Sequence, residues 1–405
     1  MASTVLANGG RGGQRLDGVD LLRGLAILFV LMNHVNMRLL IAKVPYTGGL
    51  PDQLVSSLVW NGLPGVQIFF AVSGFLITST SLRRWGSLPK VSLSGFYVMR
   101  FARIAPLLLL LLALLSVLHF VGLQHFVVSA KTGGLGRALF AALTFHVNVL
   151  EARRGYLPGN WDILWSLSVE EMFYLFFPLV ARFFGRGKLL IALLLGFVVL
   201  GPFARTLFTH GNEVWKEYSY LGGMDAIALG CLTALLVKRF RLSPIVLWTL
   251  GIAGTVLLIF SLCFSLQARP WGLSRLGLDM TILAVGACMI IATIAQTNWE
   301  GPWAMRALLN LGQRSYEVYL THMFVVFGLF QLFVLYGKPM RGVPGLFIVT
   351  IVAAGLLGEL VARFYSEPLN RLIRERWRGG KTTAVVSLGV ASAVQEAEQK
   401  ADAGA

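Results

Sequence analysis

Apolar runs of a length that matches a membrane recur throughout this chain. A helix needs about 20 apolar residues to cross the hydrocarbon core of a bilayer, and such stretches follow one another between residues 20 and 364. Hydrophobic residues make up 56% of the chain and charged residues only 13%, which excludes an ordinary soluble domain. Because the runs do not alternate as barrel strands do, the sequence predicts an all-α integral membrane protein.

The basic residues define an orientation for these runs. Lys and Arg outnumber Asp and Glu by 35 to 19, and they cluster in short loops at the ends of the apolar runs, as cytosolic loops do. We therefore expect the bilayer, and not nucleic acid, as the partner of this charge. One bundle of ten spans with both termini cytosolic places the basic loops on the cytosolic side. The predicted spans are residues 20–41, 62–82, 104–123, 163–183, 189–208, 220–237, 244–266, 273–296, 315–336 and 343–364.

The chain is predicted to divide into three parts. Residues 1–19 form a cytosolic N-terminal segment, residues 20–366 form the transmembrane domain, and residues 367–405 form a basic and then disordered cytosolic tail. Within the domain, the run 135–150 is short and carries an arginine and a histidine. We predict that it is an interfacial or re-entrant segment on the outer side and not an eleventh span.

The three cysteines carry no sign of disulfide or metal chemistry. Cys231, Cys263 and Cys288 all fall inside predicted spans, and none has a partner at CxxC spacing. We interpret them as packing residues and expect neither a bound metal nor a permanently bound cofactor.

Polar side chains interrupt the first apolar run, LLRGLAILFVLMNHVNMRLL, at residues 21–40. At 100° per residue, Arg23 and His34 lie within about 20° of one helix face, and Asp20 lies within about 40° of His34. An ion pair of Asp20 with Arg23 at the membrane surface explains these two residues as well as a functional role does. A histidine about 20 Å along the helix needs a polar partner or a water-filled cavity, which predicts a functional site at His34.

Two adjacent glutamates lie in another apolar run, WDILWSLSVEEMFYLFFPL. If this helix enters the membrane from the outer side, Glu170 lies roughly 10 Å deep, near the depth of His34, so the acids and the imidazole are expected to meet. Glu170 also shares an i, i+4 row with Ser166 and Tyr174. Glu170 is therefore the better pocket candidate. For Glu171, which points about 100° away, a contact with a neighbouring helix is equally well supported.

Four arginines precede the third predicted span. Arg100 and Arg103 are one helical turn apart in FYVMRFARIAPLL, and Arg83 and Arg84 lie upstream in the same basic region. Taken alone, they are best explained as the basic flank of a cytosolic helix end. Two forked guanidinium groups on one face also suit a polyanionic phosphate ligand presented from the cytosol.

Taken in order, these segments resemble the acyltransferase 3 family of ten-helix membrane enzymes. The resemblance extends to about residue 370 and rests on DLLRGLAILFVLMNH, GVQIFFAVSGFLITS, FYVMRFARIAPL, WSLSVEEMFY and SYEVYLTH, which ends at His322. Each motif is modest alone, and their order makes the match specific. The family's usual D-G-L-R-G start stands here as DLLRG with a second acid, Asp17, nearby, so the motif's acid is not fixed to Asp20.

The resemblance implies transfer of an acyl group, commonly acetyl, from cytosolic acyl-CoA to a hydroxyl of a glycan, glycolipid or similar acceptor beyond the membrane. Such O-acetylation of polysaccharides implies the bacterial cytoplasmic (inner) membrane. By similarity, His34 is the essential histidine, Arg23 its motif partner, Arg100 with Arg103 the donor-side pair, and His322 a further pocket residue. His34 then removes the acceptor's hydroxyl proton as general base, and a nearby glutamate orients it.

Three alternatives stay open. A covalent acyl-enzyme at Ser166, Ser168 or another side chain transfers the group in two steps. A non-catalytic membrane protein that binds lipid or a partner would neither release CoA from acyl-CoA nor bind CoA. A polytopic transporter or flippase also carries charged residues along a polar path, but transport alone releases no CoA from acyl-CoA. The sequence fixes neither the acceptor, nor the length of the acyl chain, nor the oligomeric state. Aromatic residues at outer helix ends suit stacking on sugar rings, although an interfacial belt explains most of them: Trp60, Tyr156, Trp161, Trp215 and Trp271.

Overall fold

The computed structural model describes residues 16–297 and 299–377, and every regular element in them is a helix. Ten helical stretches in this part of the chain are long and apolar enough to cross a membrane. The predicted all-α membrane fold with ten spans is thereby confirmed. Most of the predicted N-terminal segment and of the predicted disordered tail lies outside the described residues.

The ten main helices are numbered here in chain order, and short helices are given by their residues. They are α1 Asp17–Ile41, α2 Gly62–Trp85, α3 Leu93–Phe120, α4 Leu164–Phe184, α5 Lys188–Thr206, α6 Tyr220–Arg239, α7 Pro244–Cys263, α8 Asp279–Gln296, α9 Ser315–Leu335 and α10 Val343–Val361.

Helix α1 packs against α2, α8, α9 and α10 and against the short helix Arg306–Gln313. The contact with the short helix is close because both sides use glycine. A Cβ atom at Gly312 would collide with the carbonyl group of Asp20, and one at Gly24 would collide with the carbonyl group of Leu308. Small residues allow such close approach of helix backbones inside a membrane. The start of α1, with its polar residues, is therefore fixed within the bundle.

A buried polar network joins α2, α5, α6 and α8. The Arg205 guanidinium group contacts the Asp225 carboxylate at 2.7 Å and the Thr281 hydroxyl at 2.6 Å, and Gln67 donates to Asp225 at 2.9 Å. Each charge is paired and hydrogen-bonded, as charges in an apolar surrounding must be. Sequence reasoning did not single out these residues. The network holds together the helices that flank the functional region.

Helix α3 begins earlier than the sequence predicted. The apolar run starts at residue 104, but the helix starts at Leu93, where the Ser92 hydroxyl caps the backbone N–H of Gly95 at 3.2 Å. Hydropathy reports the hydrocarbon-facing stretch, whereas the cap and the helix-forming arginines determine where the helix starts. Arg100 and Arg103 consequently lie inside α3 and are held on a rigid element.

Two other segments differ in detail from the predicted spans. The run 135–150 folds into the short helices Gly134–Leu143 and Val147–Arg154, each too short to cross a bilayer. At the other end, α10 continues through a π-helical turn, Ala362–Ser366, into a helical stretch that reaches Trp377. The hydroxyl of Tyr365 donates to the carbonyl of Pro106 at 3.1 Å, which ties this extension to α3.

Candidate active site

Many of the residues singled out from the sequence line two cavities of the bundle, although Asp20 and His322 line neither. The larger one, called the histidine cavity, has a volume of about 1000 Å³ and is lined by His34, Arg38, Trp60, Tyr156, Asp162 and Tyr218, among others. The smaller one, called the arginine cavity, has a volume of about 570 Å³ and is lined by Arg23, Arg100, Arg103, Glu170, Ser166 and Tyr319, among others.

Helix α1 contributes to both cavities. Arg23 lines the arginine cavity and half-buried His34 lines the histidine cavity. The two positions are eleven residues apart, which corresponds to about 16 Å along the helix axis. Asp20 lies next to Arg23, with a nitrogen-to-oxygen distance of 3.7 Å. The stripe predicted on α1 therefore connects two separate cavities and does not line a single one.

His34 has a second histidine as its neighbour. The rings of His34 and His322 have their centroids 5.0 Å apart and are tilted by 44°. His322 is fully buried on α9, and its Nδ1 lies 2.6 Å from the backbone carbonyl of Tyr319. Because a carbonyl oxygen only accepts, Nδ1 carries the hydrogen. The predicted pocket residue His322 thus directly contacts the ring of His34.

A polar wall separates the two cavities. Tyr319 lines the arginine cavity, Met323 lines the histidine cavity, and His322 lies between them on α9. The Tyr319 hydroxyl lies 2.7 Å from the Ser166 hydroxyl and donates to the carbonyl of Ile163 at 2.9 Å. The polar wall, defined as Ser166, Tyr319 and His322, connects the lining of the arginine cavity to His34 through successive contacts.

The row of Ser166, Glu170 and Tyr174 lines the arginine cavity, as its spacing on α4 predicted. The Glu170 carboxylate accepts hydrogen bonds from the hydroxyls of Ser73 and Tyr174, each at 2.5 Å. Glu171 is buried and lines the same cavity, and its Oε1 has no hydrogen-bond partner among the described residues. Glu171 therefore lies at the same cavity as Glu170.

The expected meeting of these glutamates with His34 is not found in the described part of the chain. Both carboxylates lie on the arginine cavity, whereas His34 lies on the histidine cavity. Depth along two helices places residues in one layer of the membrane but does not determine their lateral separation. The side chain that contacts the His34 ring comes from α9, through His322.

The paired arginines of α3 face the arginine cavity, and each has a partner. The guanidinium carbon of Arg100 lies 3.3 Å from the centre of the Tyr174 ring. Arg103 makes two hydrogen bonds with the buried Glu317 carboxylate, at 2.9 and 3.4 Å. Sequence reasoning did not single out Glu317, although it lies within the motif SYEVYLTH. A ligand at Arg103 must therefore share the guanidinium group with this carboxylate.

The mouth of the arginine cavity is also basic. Arg83 and Arg84 are exposed at the end of α2, and Arg314 forms ion pairs with Glu359, at 2.7 Å, and with Glu367. In all, seven arginines and three glutamates line this cavity: Arg23, Arg83, Arg84, Arg100, Arg103, Arg314, Arg374, Glu170, Glu171 and Glu367. The surplus of positive charge suits a polyanionic ligand.

The histidine cavity has the opposite charge. Its charged lining consists of one arginine and four acids: Arg38, Asp52, Asp162, Glu217 and Asp279. Trp60 and Tyr156 are exposed in its lining, as the stacking interpretation requires. Trp161 is fully buried, so neither stacking nor an interfacial belt describes it. Carboxylates with aromatic faces are suited to hydroxyl groups and to the apolar faces of sugar rings.

A buried acid that the sequence did not reveal lies beside this cavity. Glu151, on the short helix Val147–Arg154, is fully buried and accepts a hydrogen bond from the backbone N–H of Leu157 at 3.0 Å. Burial, and next the carboxylate of Asp162, raise the pKa of Glu151 well above its usual range. A carboxyl group at this position is therefore protonated under conditions in which an exposed glutamate is charged.

The two serines proposed for a covalent step have different surroundings. The Ser168 hydroxyl donates to the carbonyl of Leu164 at 2.9 Å and accepts from the backbone N–H of Val147 at 3.2 Å. These two bonds make it a structural residue that joins α4 to the helix Val147–Arg154. Ser166 instead lines the arginine cavity and contacts the Tyr319 hydroxyl, so only Ser166 is placed to meet a ligand there.

The chain belongs to the acyltransferase 3 family, whose domain, described as an acyltransferase domain, matches residues 16–359. The O-acetyltransferase OatA of Staphylococcus aureus is 23% identical over 400 residues, which cover 94% of this chain and 62% of that protein. The peptidoglycan O-acetyltransferase OatA of Listeria monocytogenes is 26% identical over 381 residues, covering 88% of this chain and 56% of that protein. The chain thus spans about three fifths of the length of these relatives. No solved structure matches the chain.

Proposed function

We propose that the protein is a membrane O-acyltransferase that moves an acyl group, acetyl by similarity to its relatives, from acyl-CoA to a hydroxyl of a glycan or related acceptor. The donor binds in the arginine cavity and the acceptor binds in the histidine cavity. One observation carries the proposal: two cavities have linings of opposite charge, and contacts through the polar wall link the lining of the arginine cavity to His34 in the other. Membership of the acyltransferase 3 family and the names of the O-acetyltransferase relatives support it.

The arginine cavity faces the cytosol in this proposal. Its mouth carries Arg83, Arg84 and Arg374, which belong to the basic segments at the helix ends. Basic segments are retained on the cytosolic side of a membrane. The resemblance to the acyltransferase 3 family likewise implies an acyl-CoA donor from the cytosol. Both termini then lie in the cytosol, and the histidine cavity opens on the other side of the bacterial cytoplasmic membrane.

The donor's charges are matched by the guanidinium groups. Phosphates accept charge-assisted hydrogen bonds from arginine forks, and these are among the stronger polar contacts in proteins. Arg100 is held on the Tyr174 ring, and Arg23 of α1 lines the same cavity. With the phosphates at the arginines, the narrow arm of the donor extends along the cavity towards Ser166 and Tyr319, so that its thioester arrives at the polar wall.

His34 then acts as the general base. It removes the proton from the acceptor hydroxyl, the freed oxygen attacks the thioester carbon, and the carbon–sulfur bond breaks. CoA leaves as a thiolate, which takes up the proton held by His34. Imidazole is suited to both proton transfers near neutral pH. In the two-step alternative, Ser166 carries the acyl group in between, because Ser166 faces the arginine cavity whereas Ser168 does not.

Release of free CoA by the purified, folded protein tests the proposal. Wild-type protein supplied with acetyl-CoA and a hydroxylated glycan should release CoA only when the acceptor is present. His34→Gln should lower the rate by roughly 10²- to 10⁴-fold while acetyl-CoA binding is retained, because glutamine cannot take the proton. His119→Gln is the matched control, since His119 lies at the end of α3 and accepts from the backbone of Val128.

Near-normal turnover by His34→Gln would remove the general-base role. Acceptor movement across the membrane without CoA release would favour the transporter alternative. An acyl group that remains on Ser166 after acceptor-free incubation, detected by mass spectrometry, would select the two-step route.

A further inference from the structure

The side chain of His322 has a buried hydrogen-bonding nitrogen, Nε2, that pairs with no described residue. Its side chain is fully buried, and its Nδ1 hydrogen is committed to the carbonyl of Tyr319 at 2.6 Å. A charged imidazolium is costly at such a site, so the ring is neutral and its Nε2 bears a free lone pair. Nε2 has no hydrogen-bond partner within the described residues. A buried, unpaired acceptor in a folded protein calls for a specific explanation.

The position of His34 supplies one. Nε2 is at the far end of the His322 ring, whereas Nδ1 is bonded back to the ring's own helix. Two imidazole rings joined by one N–H···N hydrogen bond have their centroids roughly 5 Å apart, and those of His34 and His322 are 5.0 Å apart. The two rings therefore have the separation of a hydrogen-bonded imidazole pair.

The hydrogen bond to Nε2 would gain strength during the reaction. In neutral His34 the nitrogen that takes the substrate's proton is bare, so the single N–H is already on the other nitrogen and points away from the substrate. After the proton transfer both nitrogens carry N–H groups and the ring is charged. A neutral hydrogen-bond acceptor at the far nitrogen bonds both forms of His34 but bonds the charged form more strongly, and only that difference accelerates the step.

We propose that His322 is a positioning residue, which accepts through Nε2 a hydrogen bond from His34 that strengthens as His34 becomes protonated. The inference rests on the proposed function, in which His34 is the base. No proton passes to His322: the acceptor's proton resides on His34 until the departing thiolate takes it. The hydrogen bond of His322 to Tyr319 fixes which nitrogen is bare, and the contact of Tyr319 with Ser166 holds that segment of the polar wall.

Three substitutions at His322 separate this role from a structural one. His322→Gln places an amide oxygen near the position of Nε2 and keeps an acceptor for His34. His322→Asn places an amide nitrogen near the position of Nδ1, so it keeps the bond to Tyr319 but loses the acceptor. His322→Met keeps the volume of the side chain and loses both. Each variant is purified in folded form, and its kcat, its KM for acetyl-CoA and its donor binding are measured.

The positioning role predicts that kcat falls about 10- to 100-fold in His322→Asn and His322→Met, the factor for one hydrogen bond to a charged group, with an unchanged KM for the donor. His322→Gln should stay within about threefold of wild type. If His322→Asn does not fold, the comparison of Gln with Met carries the same test.

A structural role predicts a different order. Asparagine would then rescue at least as well as glutamine, because it preserves the bond to Tyr319, and that order would overturn the inference. Equal, wild-type rates in all variants would overturn it as well and would leave His34 as the base. A wild-type protein that releases no CoA under any condition would overturn the inference and the proposed function together.

Discussion

The two cavities differ in charge and in how rigidly their polar groups are held. Seven arginines and three glutamates line the arginine cavity, whereas one arginine and four acids line the histidine cavity. In the arginine cavity, Arg100 is stacked on Tyr174 and Arg103 is bonded to Glu317. In the histidine cavity, Trp60 and Tyr156 are exposed. Under the proposed function, the arginine cavity is preorganised for one polyanion, and the histidine cavity receives an uncharged, hydroxyl-rich molecule.

The difference in charge between the two cavities bears on where donor and acceptor can bind. Under the proposed function, a polyanion attracted into the arginine cavity is repelled by the acids of the histidine cavity, which keeps donor and acceptor on separate sides. The reacting groups would then meet beside His322 and His34, whose rings are in contact. In that proposal, opposite charge in the two cavities favours transfer of a small group over passage of the whole donor.

Among changes that affect only one of the two cavities, the largest effect is expected from removing the donor's charge partners. Changing both Arg100 and Arg103 to Ala should weaken acetyl-CoA binding on the order of 100-fold or more, at about 1.5–3 kcal/mol for each charged hydrogen bond lost. Lys at either position should rescue only in part, because it lacks the planar fork. Binding is measured by isothermal titration on folded protein, with the exposed Arg186, which belongs to neither cavity's described lining, changed to Ala as the control.

Arg103 also neutralises the buried carboxylate of Glu317. Loss of Arg103 leaves the buried Glu317 carboxylate uncompensated, which is itself destabilising. The double change Arg103→Ala with Glu317→Gln removes that penalty. If this double variant binds acetyl-CoA as tightly as wild type, the arginine serves only to neutralise Glu317, and the donor is not bound there.

A smaller effect is expected at the paired glutamates. Glu170→Gln should raise the KM for acetyl-CoA about tenfold, because Glu170 bonds the Tyr174 hydroxyl and the Tyr174 ring holds Arg100. Glu171→Gln should change it less, since Glu171 Oε1 has no described hydrogen-bond partner. Steady-state kinetics give the KM for acetyl-CoA of both variants. A larger increase in Glu171→Gln than in Glu170→Gln would show that Glu171 organises the donor site.

The acceptor side should respond to its aromatic lining. Trp60→Ala should raise the KM for a glycan acceptor roughly three- to tenfold and leave donor binding unchanged, because stacking of rings contributes about 0.5–1.5 kcal/mol. The control is Trp248→Ala, since Trp248 is 72% exposed on α7 and is not among the residues that line the cavity. An increase in the donor KM instead would place the donor in the histidine cavity.

The smallest effect concerns stability near the histidine cavity. Because the pKa of Glu151 is raised in the folded protein, the folded state holds a proton that the unfolded state releases above the ordinary glutamate pKa. The free energy of unfolding therefore falls as pH rises from the ordinary glutamate pKa towards the raised pKa of Glu151 in the folded protein. The fall is up to about 1.4 kcal/mol per pH unit. Glu151→Gln should flatten this fall in thermal unfolding scans in detergent, whereas exposed Glu213→Gln should not.

The fold, and the residues that share one face of a helix, were predictable from the sequence. Helical periodicity placed Ser166, Glu170 and Tyr174 in one row and Arg23 on the same stripe as His34, and positions one turn apart on a helix do share a face. Hydropathy located the ten spans. These features depend on residues close together in the chain, where the geometry of a single helix determines the outcome.

The neighbours of His34 were not predictable in the same way. The pairing of Arg103 with Glu317 joins residues 214 positions apart, and the contact of His34 with His322 joins α1 to α9. Which helices touch is decided by packing, for example by the glycines that bring α1 against the helix Arg306–Gln313. Without that information, equal depth suggested a contact between His34 and the glutamates of α4 that the folded bundle does not make.

The central claim, that donor and acceptor enter from opposite sides of the membrane, is tested by reconstitution into liposomes. An impermeant thiol label on Lys90→Cys, in the loop after α2, identifies the side of the arginine cavity. With acetyl-CoA on that side and the glycan acceptor on the other, CoA release and acetylated glycan should both appear, and exchanging the two sides should abolish both. Equal product after the exchange, or product only with donor and acceptor on one side, would contradict the account.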